Sequence, residues 1–305
     1  MDVEKKYQSK FEKIMNNFIK KFFKNTIFLF LITFCFFKVD RVYSLVPYYF
    51  FPTINNLEKE SLSIGKDAYQ LLYFGQYKQS LNLAKLAVKI NEKNEELWLI
   101  LSEAQIANKL YKNALNSLNK AQKINPNLSE VHFAKSNIYL KISQLQKAKN
   151  ALETGLRIEP SNYKAIFQLG NIFLMEKNYS EAIKIFDKSL KIKPDFWQAI
   201  NNQGLAHFEK NNIDQSIKLF KKAILIEENA EPLLALASSL RIKDPQLALK
   251  FAKKALNKNP EYVNYDYRKE QLWGEKLQAS TETLLQNDVL QVDVKLAKSK
   301  INLSY

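Results

Sequence analysis

Similar four-residue phrases recur along this chain at a regular interval. The phrases KINP, RIEP and KIKP end at Pro126, Pro160 and Pro194, which are 34 residues apart, and NKNP ends at Pro260 after a further 66 residues. A fixed period of this length is typical of repeat proteins, in which each repeat buries its apolar face against its neighbours. The spacing therefore predicts a linear array of similar structural units.

The scarcity of glycine and proline favours helices within each repeat. The chain of 305 residues contains only six Gly and eight Pro, whereas a β-sheet protein needs a turn about every 8–12 residues. With 46% hydrophobic and 25% charged residues, the composition is that of a folded chain and not of a disordered one. We therefore predict an all-α fold.

Six repeats follow when each proline is counted as the 32nd residue of its repeat. Their bounds are 61–94, 95–128, 129–162, 163–196, 197–230 and 231–262. Only Ala, Ser or Gly occupies positions 20 and 27 of these repeats. Position 20 holds Ser80, Ala114, Ala148, Ala182, Ser216 and Ala248, and position 27 holds Ala87, Ala121, Gly155, Ser189, Ala223 and Ala255. Small side chains let the two helices of a repeat approach closely, whereas larger ones would separate them.

This pattern resembles the tetratricopeptide-repeat (TPR) family over residues 61–262. A TPR is a helix–turn–helix unit of about 34 residues that commonly ends in proline. The resemblance implies an all-α superhelical solenoid of about six repeats, with a concave groove lined by the first helix of each repeat. It also implies a scaffold that binds a protein or peptide partner, and not an enzyme.

The same resemblance implies which side chains face the groove. At the matching positions of the first helices stand Tyr69, Tyr73, Glu103, Phe133, Asn137, Lys141, Phe167, Asn171, Asn201 and Asn202. Asn137 and Asn171 are one repeat apart, and so are Phe133 and Phe167. A side-chain amide both donates and accepts hydrogen bonds, so it can bind a peptide backbone of any sequence. The alternative is that these asparagines only cover exposed helix faces.

The residues after the last repeat are predicted to cap the array. Within residues 263–305, the segment Asp266 to Gln286 has the pattern of one amphipathic helix, and a shorter helix is predicted from about Val289 to Ile301. A repeat array needs a terminal element that covers its last apolar face and presents polar residues to water. We therefore expect these C-terminal helices to have a structural role.

The N-terminal residues 1–44 are predicted to be a signal peptide or a signal anchor. Residues 27–37 form an uncharged run of eleven residues that follows several lysines, which suits the hydrophobic core of a secretory signal. Cleavage after Ser44 is the favoured interpretation, and translation from Met15 instead of Met1 would give a signal of ordinary length. Residues 45–60 would then form a linker or an N-terminal cap. Either interpretation predicts export across a membrane, to a periplasm or a thylakoid lumen, with membrane association if the segment stays as an anchor.

The sequence offers no recognisable catalytic or metal-binding motif. His132 and His207 have no further His or Cys at ligand spacing, and Cys35 is the only cysteine. The six glycines form no phosphate-binding loop. We therefore predict no catalytic residue, no cofactor and no metal. The formal net charge is +15, but lysines scattered along helices are typical of solvated surfaces, so we also predict no nucleic-acid partner.

A narrower resemblance concerns three phrases of the chain. LVPYYFFP, KPDFWQAINNQGLA and EQLWGEKLQASTETLLQN are similar to exported or membrane-associated TPR proteins of cyanobacteria. This resemblance implies a role as an assembly factor for photosynthetic membrane complexes. The alternative function left open by the sequence is a substrate-binding or regulatory subunit of an enzyme system whose catalytic chain is a partner.

Overall fold

The structure is a computed structural model that describes residues 54–303. The predicted signal segment 1–44 and the first part of the predicted linker lie outside the described residues. The chain divides into two compact units, with the boundary between Pro126 and Asn127. Residues 54–303 form α-helices and short 3-10 segments and contain no β-strand.

The first compact unit contains two helix pairs. Its helices are α1 (Ile54–Tyr73), α2 (Tyr77–Ile90), α3 (Glu95–Ala107) and α4 (Tyr111–Ile124). Helix α1 packs against α2, α3 packs against α4, and α2 also contacts α3. Leu97 and Leu101 of α3 are buried in the core of this unit. The side chain of Asn94 caps α3 by accepting a hydrogen bond from the amide of Leu97 at 3.0 Å, which satisfies one of the free donors at the helix start.

The second compact unit contains four helix pairs followed by terminal helices. The pairs are α5 (Ser129–Lys141) with α6 (Leu145–Ile158), α7 (Tyr163–Met175) with α8 (Tyr179–Ile192), α9 (Trp197–Glu209) with α10 (Ile213–Ile226), and α11 (Ala230–Leu240) with α12 (Pro245–Lys258). A 3-10 segment (Pro260–Val263), α13 (Tyr265–Glu270), α14 (Glu275–Leu285), a second 3-10 segment (Asp288–Leu290) and α15 (Gln291–Asn302) follow. Helix α14 packs against α9 and α11, so the terminal helices fold back onto the repeats.

The small residues lie at helix crossings, as the sequence predicts. Their alanines and serines are fully buried at both positions of the repeats. The crossing at Gly155 shows why a larger residue is excluded, because an added Cβ would lie 2.4 Å from Cε1 of Phe133. An added Cβ on Gly170 would lie at the same distance from Cε1 of Phe186. Close packing between the helices of a pair therefore depends on these positions.

A turn of constant geometry joins the two helices of the first five pairs. One residue in each turn has a positive φ between 57° and 73°, and these residues are spaced by 34 along the chain: Gly75, Lys109, Ser143, Lys177 and Asn211. In each turn, the residue that follows the one with positive φ donates a backbone hydrogen bond to the carbonyl five residues before it. One example is the bond from the amide of Leu110 to the carbonyl of Gln105, at 2.8 Å. This is the Schellman arrangement that ends a helix. Only one of the five is glycine, so glycine content does not reveal this turn.

The predicted helix from Asp266 to Gln286 is wrong, because two helices occupy this segment. Helix α13 ends where Leu272 adopts a φ of 66°, and α14 begins after Gly274. The carboxylate of Glu209, from α9, accepts hydrogen bonds from the backbone amides of Lys276 at 3.3 Å and Leu277 at 3.0 Å. An added Cβ on Gly274 would lie 2.2 Å from Cδ of Glu209. A side chain from the fifth repeat therefore fixes the start of α14. The shorter helix predicted to follow is present as α15.

No helix within residues 54–303 is both long and apolar enough to span a membrane.

Candidate functional site

The predicted groove residues of the first compact unit are exposed to solvent. Tyr69 and Tyr73 of α1 are 55% and 85% exposed, and Glu103 of α3 is exposed as well. The ring of Tyr73 contacts that of Phe74 edge-on, with centroids 5.5 Å apart. These side chains are accessible to a partner on the surface of that unit.

In the second compact unit, the predicted residues divide into exposed and packed groups. Asn137 and Lys141 of α5 are exposed. Phe133 is half-buried and covers Gly155, and Phe167 is half-buried between other rings. The centroid of Phe167 lies 5.0 Å from that of Phe196 and 5.7 Å from that of Phe186. Both phenylalanines therefore contribute to the packing of the repeats.

A polar pocket of about 490 Å³ lies on the second compact unit, where the first helices of the last three repeats meet the terminal helices. We call it the amide pocket, because amide side chains dominate its lining. It is lined by Phe167, Asn171, Trp197, Gln198, Asn202, Asn229, Glu231, Asn259, Tyr262, Tyr267, Glu270, Gln271 and Leu272. Three of the predicted groove residues, Phe167, Asn171 and Asn202, are brought together here.

A chain of hydrogen-bonded amides forms one side of the pocket. Asn201 is fully buried and donates from Nδ2 to Oδ1 of Asn202 at 3.1 Å. Asn202 is 7% exposed and donates from Nδ2 to Oδ1 of Asn171, one repeat away, at 2.8 Å. Each amide orients the next, so Asn171 is held in place with its Nδ2 group left to donate. The buried Oδ1 of Asn201 has no hydrogen-bond partner among the described residues.

Glu231 is a carboxyl residue in the lining of the amide pocket. It is half-buried at the start of α11, and its Oε1 accepts a hydrogen bond from Nε1 of Trp273 at 3.3 Å. Burial raises the pKa of Glu231 to about 7, although hydrogen bonds from Trp273, Asn201 and Tyr262 favour the ionised form and oppose this shift. Burial is also the main reason why the pKa of Tyr262 is raised, with the nearby Glu231 carboxylate adding to it.

Aromatic residues of the terminal segment form the opposite wall. The ring of Tyr262 stacks edge-on with that of Tyr267, with centroids 5.0 Å apart, and lies 6.1 Å from that of Trp273. The hydroxyl of Tyr267 accepts a hydrogen bond from Nδ2 of Asn259 at 3.2 Å. This wall is therefore fixed by contacts within residues 259–273.

A buried arginine anchors that wall to the terminal helices. Arg268 of α13 is fully buried and donates to Oε1 of Gln278 and to the carbonyl of Tyr262, both at 2.7 Å. It also forms an ion pair with Glu282 of α14. The guanidinium thus joins the 3-10 segment, α13 and α14, and it determines where the aromatic wall lies relative to the repeats.

Sequence reasoning missed the residues of the sixth repeat and the terminal segment. Glu231 and Tyr262 belong to the sixth repeat, for which no groove residue was predicted. Tyr267 and Glu270 belong to the terminal segment, which was interpreted only as a cap. One signal was available: the phrase YVNYDY, from Tyr262 to Tyr267, concentrates aromatic and polar residues at positions that no repeat requires.

The described residues show no arrangement for metal binding. Within residues 54–303, no group of three or more His, Cys, Asp and Glu side chains is placed to hold a metal ion. His132 is buried, and burial lowers its pKa. Nδ1 of His207 lies 3.4 Å from Nδ2 of Asn212, and burial lowers the pKa of His207 too.

The paired helices, the constant turns and the small residues at the crossings define a helical-repeat protein. Comparison with family models identifies the repeats: residues 139–202 match one tetratricopeptide-repeat model, and residues 95–128 and 198–229 match another. The chain therefore contains tetratricopeptide repeats. No curated protein sequence matches the chain.

Solved structures support the same fold. A tetratricopeptide-repeat protein from Parabacteroides merdae is similar over 79% of this chain and 99% of its own length, with 18% identity and a TM-score of 0.57. PilF of Pseudomonas aeruginosa is similar over 72% of this chain and 98% of its own length, with 15% identity and a TM-score of 0.59. At these identities the similarity concerns the fold alone. The predicted fold class, an all-α TPR solenoid with C-terminal helices, is confirmed.

Proposed function

We propose that this protein is a non-catalytic scaffold that binds an extended polypeptide segment of a partner protein in the amide pocket. The observation that supports this most strongly is the hydrogen-bonded series Asn201, Asn202 and Asn171, which presents an oriented amide to a cavity of about 490 Å³. TPR proteins in general mediate protein–protein interaction. The volume lies within the range of about 300–1,000 Å³ that is typical of ligand sites.

The chemistry of the pocket matches an extended backbone. Each residue of such a segment offers one N–H donor and one C=O acceptor that need partners when they leave water. Asn171 has a donor group directed by Asn202, and Gln198, Asn229 and Gln271 add further amides to the lining. Amides satisfy both kinds of backbone group, so the pocket suits binding that depends little on side-chain identity.

The remaining predicted groove residues form the rest of this proposal. Tyr69, Tyr73 and Glu103 in the first compact unit, and Asn137 and Lys141 in the second, are exposed on first helices of repeats. We propose that they contact a second segment of the same partner, outside the amide pocket. Their exposure is consistent with such contacts, although an exposed side chain contributes less binding energy than one that is desolvated.

Binding to a randomised peptide library tests the proposed function. The full chain is incubated with an array of 12-residue peptides of random sequence, and the variant Asn171→Ala, Asn202→Ala is compared with the matched control Asn137→Ala. We expect the double variant to bind about tenfold more weakly, since an unpaired hydrogen-bonding group costs about 1–3 kcal/mol. Equal retention by the wild type and the double variant would contradict the proposal. Turnover of a substrate only when a second chain is added would favour the alternative of a regulatory subunit.

We further propose that residues 1–44 direct the chain across a membrane and that its partners belong to a photosynthetic membrane complex. This proposal rests on the uncharged run at residues 27–37 and on the sequence resemblance stated above. A reporter that is active only outside the cytoplasm, fused after Tyr305, should be active. A first residue of Leu45 in the purified protein would indicate cleavage, and an intact start in the membrane fraction would indicate an anchor. An inactive reporter beside an active cytoplasmic control would contradict the proposal.

A further inference from the structure

The amide pocket is acidic although the chain is strongly basic. Its lining contains Glu231 and Glu270 but no Lys, Arg or His, whereas the chain has 46 Lys and Arg against 31 Asp and Glu. A second cavity of about 550 Å³ on the same compact unit has the opposite charge, with Arg241, Lys243 and Lys276 in its lining and no carboxylate. The acidity of the amide pocket is therefore a local property.

The carboxylate of Glu231 has acceptor capacity that its donors within the protein do not fill. Its two oxygens offer about four acceptor sites, and Trp273, Asn201 and Tyr262 supply three donors. An ionised carboxylate can accept hydrogen bonds but cannot donate them, and a buried acceptor site without a donor is unfavourable. An occupant of the pocket that presents N–H donors would fill the remaining site.

The aromatic residues of the pocket favour the same kind of occupant. Trp197, Tyr262 and Tyr267 all line the cavity. The face of an aromatic ring attracts a cation within about 6 Å of its centroid, and tryptophan attracts it most strongly. A pocket whose lining combines carboxylates with three such rings suits an ammonium or a guanidinium group.

We infer that the amide pocket receives a lysine or arginine side chain of the bound polypeptide, with Glu231 as its anionic partner. This inference rests on the proposed function, because the cation is presented by the segment whose backbone the amides bind. It adds a side-chain preference to binding that otherwise depends on backbone groups. An ammonium has three donors and a guanidinium has five, and neither has an acceptor.

The ionisation of Glu231 makes this preference dependent on pH. Glu231 accepts hydrogen bonds from Asn201 of α9, Tyr262 of the 3-10 segment and Trp273 of the following loop. Tyr267 and Glu270 of α13 are the titratable groups that line the same pocket from the other element. The positive charge of Arg268, on the same helix, is paired with Glu282. With a pKa of about 7, the ionised fraction of Glu231 rises from about a tenth at pH 6 to about nine-tenths at pH 8. A bound cation favours the ionised form, so binding should strengthen as the pH rises.

The test compares 12-residue peptides that differ at one central position. Peptides of Gly and Ser with Lys, Arg, Gln or Glu in the centre are measured against the full chain, against Glu231→Gln, and against Arg241→Gln as a matched control from the second cavity. At pH 8 we expect Lys and Arg peptides to bind the wild type about tenfold more tightly than the Gln peptide. This difference should disappear in Glu231→Gln and persist in Arg241→Gln. The preference should also fall about tenfold between pH 8 and pH 6 in the wild type only.

The outcomes separate this inference from the proposed function. If all four peptides bind the wild type equally and lose affinity in Asn171→Ala, Asn202→Ala, the proposed function stands and the inference is wrong. If a Lys preference persists unchanged in Glu231→Gln, the inference is also wrong. If no peptide binds the wild type more tightly than the double asparagine variant, the proposed function fails as well. Circular dichroism of each variant checks that the fold is retained.

Discussion

Asn137 and Asn171 occupy the same position of neighbouring repeats, yet their surroundings differ. Asn137 on α5 is exposed. Asn171 on α7 is half-buried, accepts a hydrogen bond from Asn202 at 2.8 Å, and lines a cavity. One position of the repeat is therefore a solvated surface residue in the third repeat and part of an organised site in the fourth.

The difference arises from parts of the chain that are not adjacent to either asparagine. The wall opposite Asn171 consists of residues 259–272, about 90 residues further along the chain. Helix α14 packs against α9 and α11, and Glu209 and Arg268 hold the start of α14 and the segment before it. Two equivalent side chains thus acquire different roles because only one of them faces the terminal segment.

Removing the anchor of that segment should have the largest effect. We expect Arg268→Ala to lower the free energy of unfolding by about 3 kcal/mol, because it empties a buried volume and leaves Gln278 and the carbonyl of Tyr262 without a donor. Hydrogen exchange should increase in residues 265–285 and stay unchanged in α5. Lys269→Ala, an exposed neighbour, is the control. Unchanged exchange in residues 265–285 would show that Arg268 does not anchor the wall.

A change at Glu231 should alter the pH dependence of stability. Because its pKa is raised from 4.5 to about 7 in the folded chain, the native state binds the proton more tightly than the unfolded state does. The contribution of Glu231 to the free energy of unfolding is therefore largest below about pH 4.5, and it is lost as the pH rises through about 7. Glu231→Gln should therefore match the wild type near pH 4 and be more stable at pH 8 by about 2 kcal/mol, or roughly 5 °C in Tm. Parallel Tm curves from pH 4 to pH 8 would contradict this.

Breaking the amide series should have an intermediate effect. Asn202→Ala leaves Oδ1 of Asn171 without its donor and Nδ2 of Asn201 without its acceptor. We expect a loss of about 1–2 kcal/mol in urea unfolding, since each unsatisfied buried group is unfavourable. Asn202→Asp retains an acceptor for Asn201 and removes the donor, so it distinguishes the two bonds. A loss below about 0.5 kcal/mol for Asn202→Ala would mean that the series does not stabilise the repeats.

Replacement of the exposed Asn137 should have the smallest effect. We expect Asn137→Ala to alter the free energy of unfolding by less than about 0.5 kcal/mol, because exposed substitutions away from special features usually stay within that range. The same urea titration measures it beside Asn202→Ala. A loss equal to that of Asn202→Ala would remove the distinction between the two asparagines.

The sequence predicted the features that depend on neighbours within one repeat. The buried small residues, such as Ala148 and Ala182, could be predicted because close approach of paired helices limits side-chain size wherever the period of 34 recurs. The pairing of helices follows from the same period. Phe133 was predicted to face a partner but covers Gly155, because its position in the helix borders both the groove and the core.

The site itself could be predicted only in part. Phe167, Asn171 and Asn202 were identified from the repeat. Tyr262 and Tyr267 were not, because their placement depends on how the chain folds back after the last helix pair. Glu231 was not, because its surroundings include Trp273 of the terminal segment. The break at Leu272 was also missed, since a non-glycine residue with positive φ leaves no clear mark in the sequence. Contacts between distant segments are set by tertiary packing, and periodicity within the repeats does not encode them.

The most direct test of the central claim is to locate a bound peptide on the surface. A photoreactive phenylalanine analogue is placed at Gln271, on the rim of the amide pocket, and in separate samples at Asn137 and at Ile242 of the second cavity. Each full chain is irradiated with a labelled 12-residue peptide that has a central lysine. We expect strong crosslinking at Gln271, little at Asn137 and Ile242, and loss of the Gln271 product when Asn171 and Asn202 are both alanine. Equal crosslinking at all three positions, or stronger crosslinking at Asn137, would contradict the central claim.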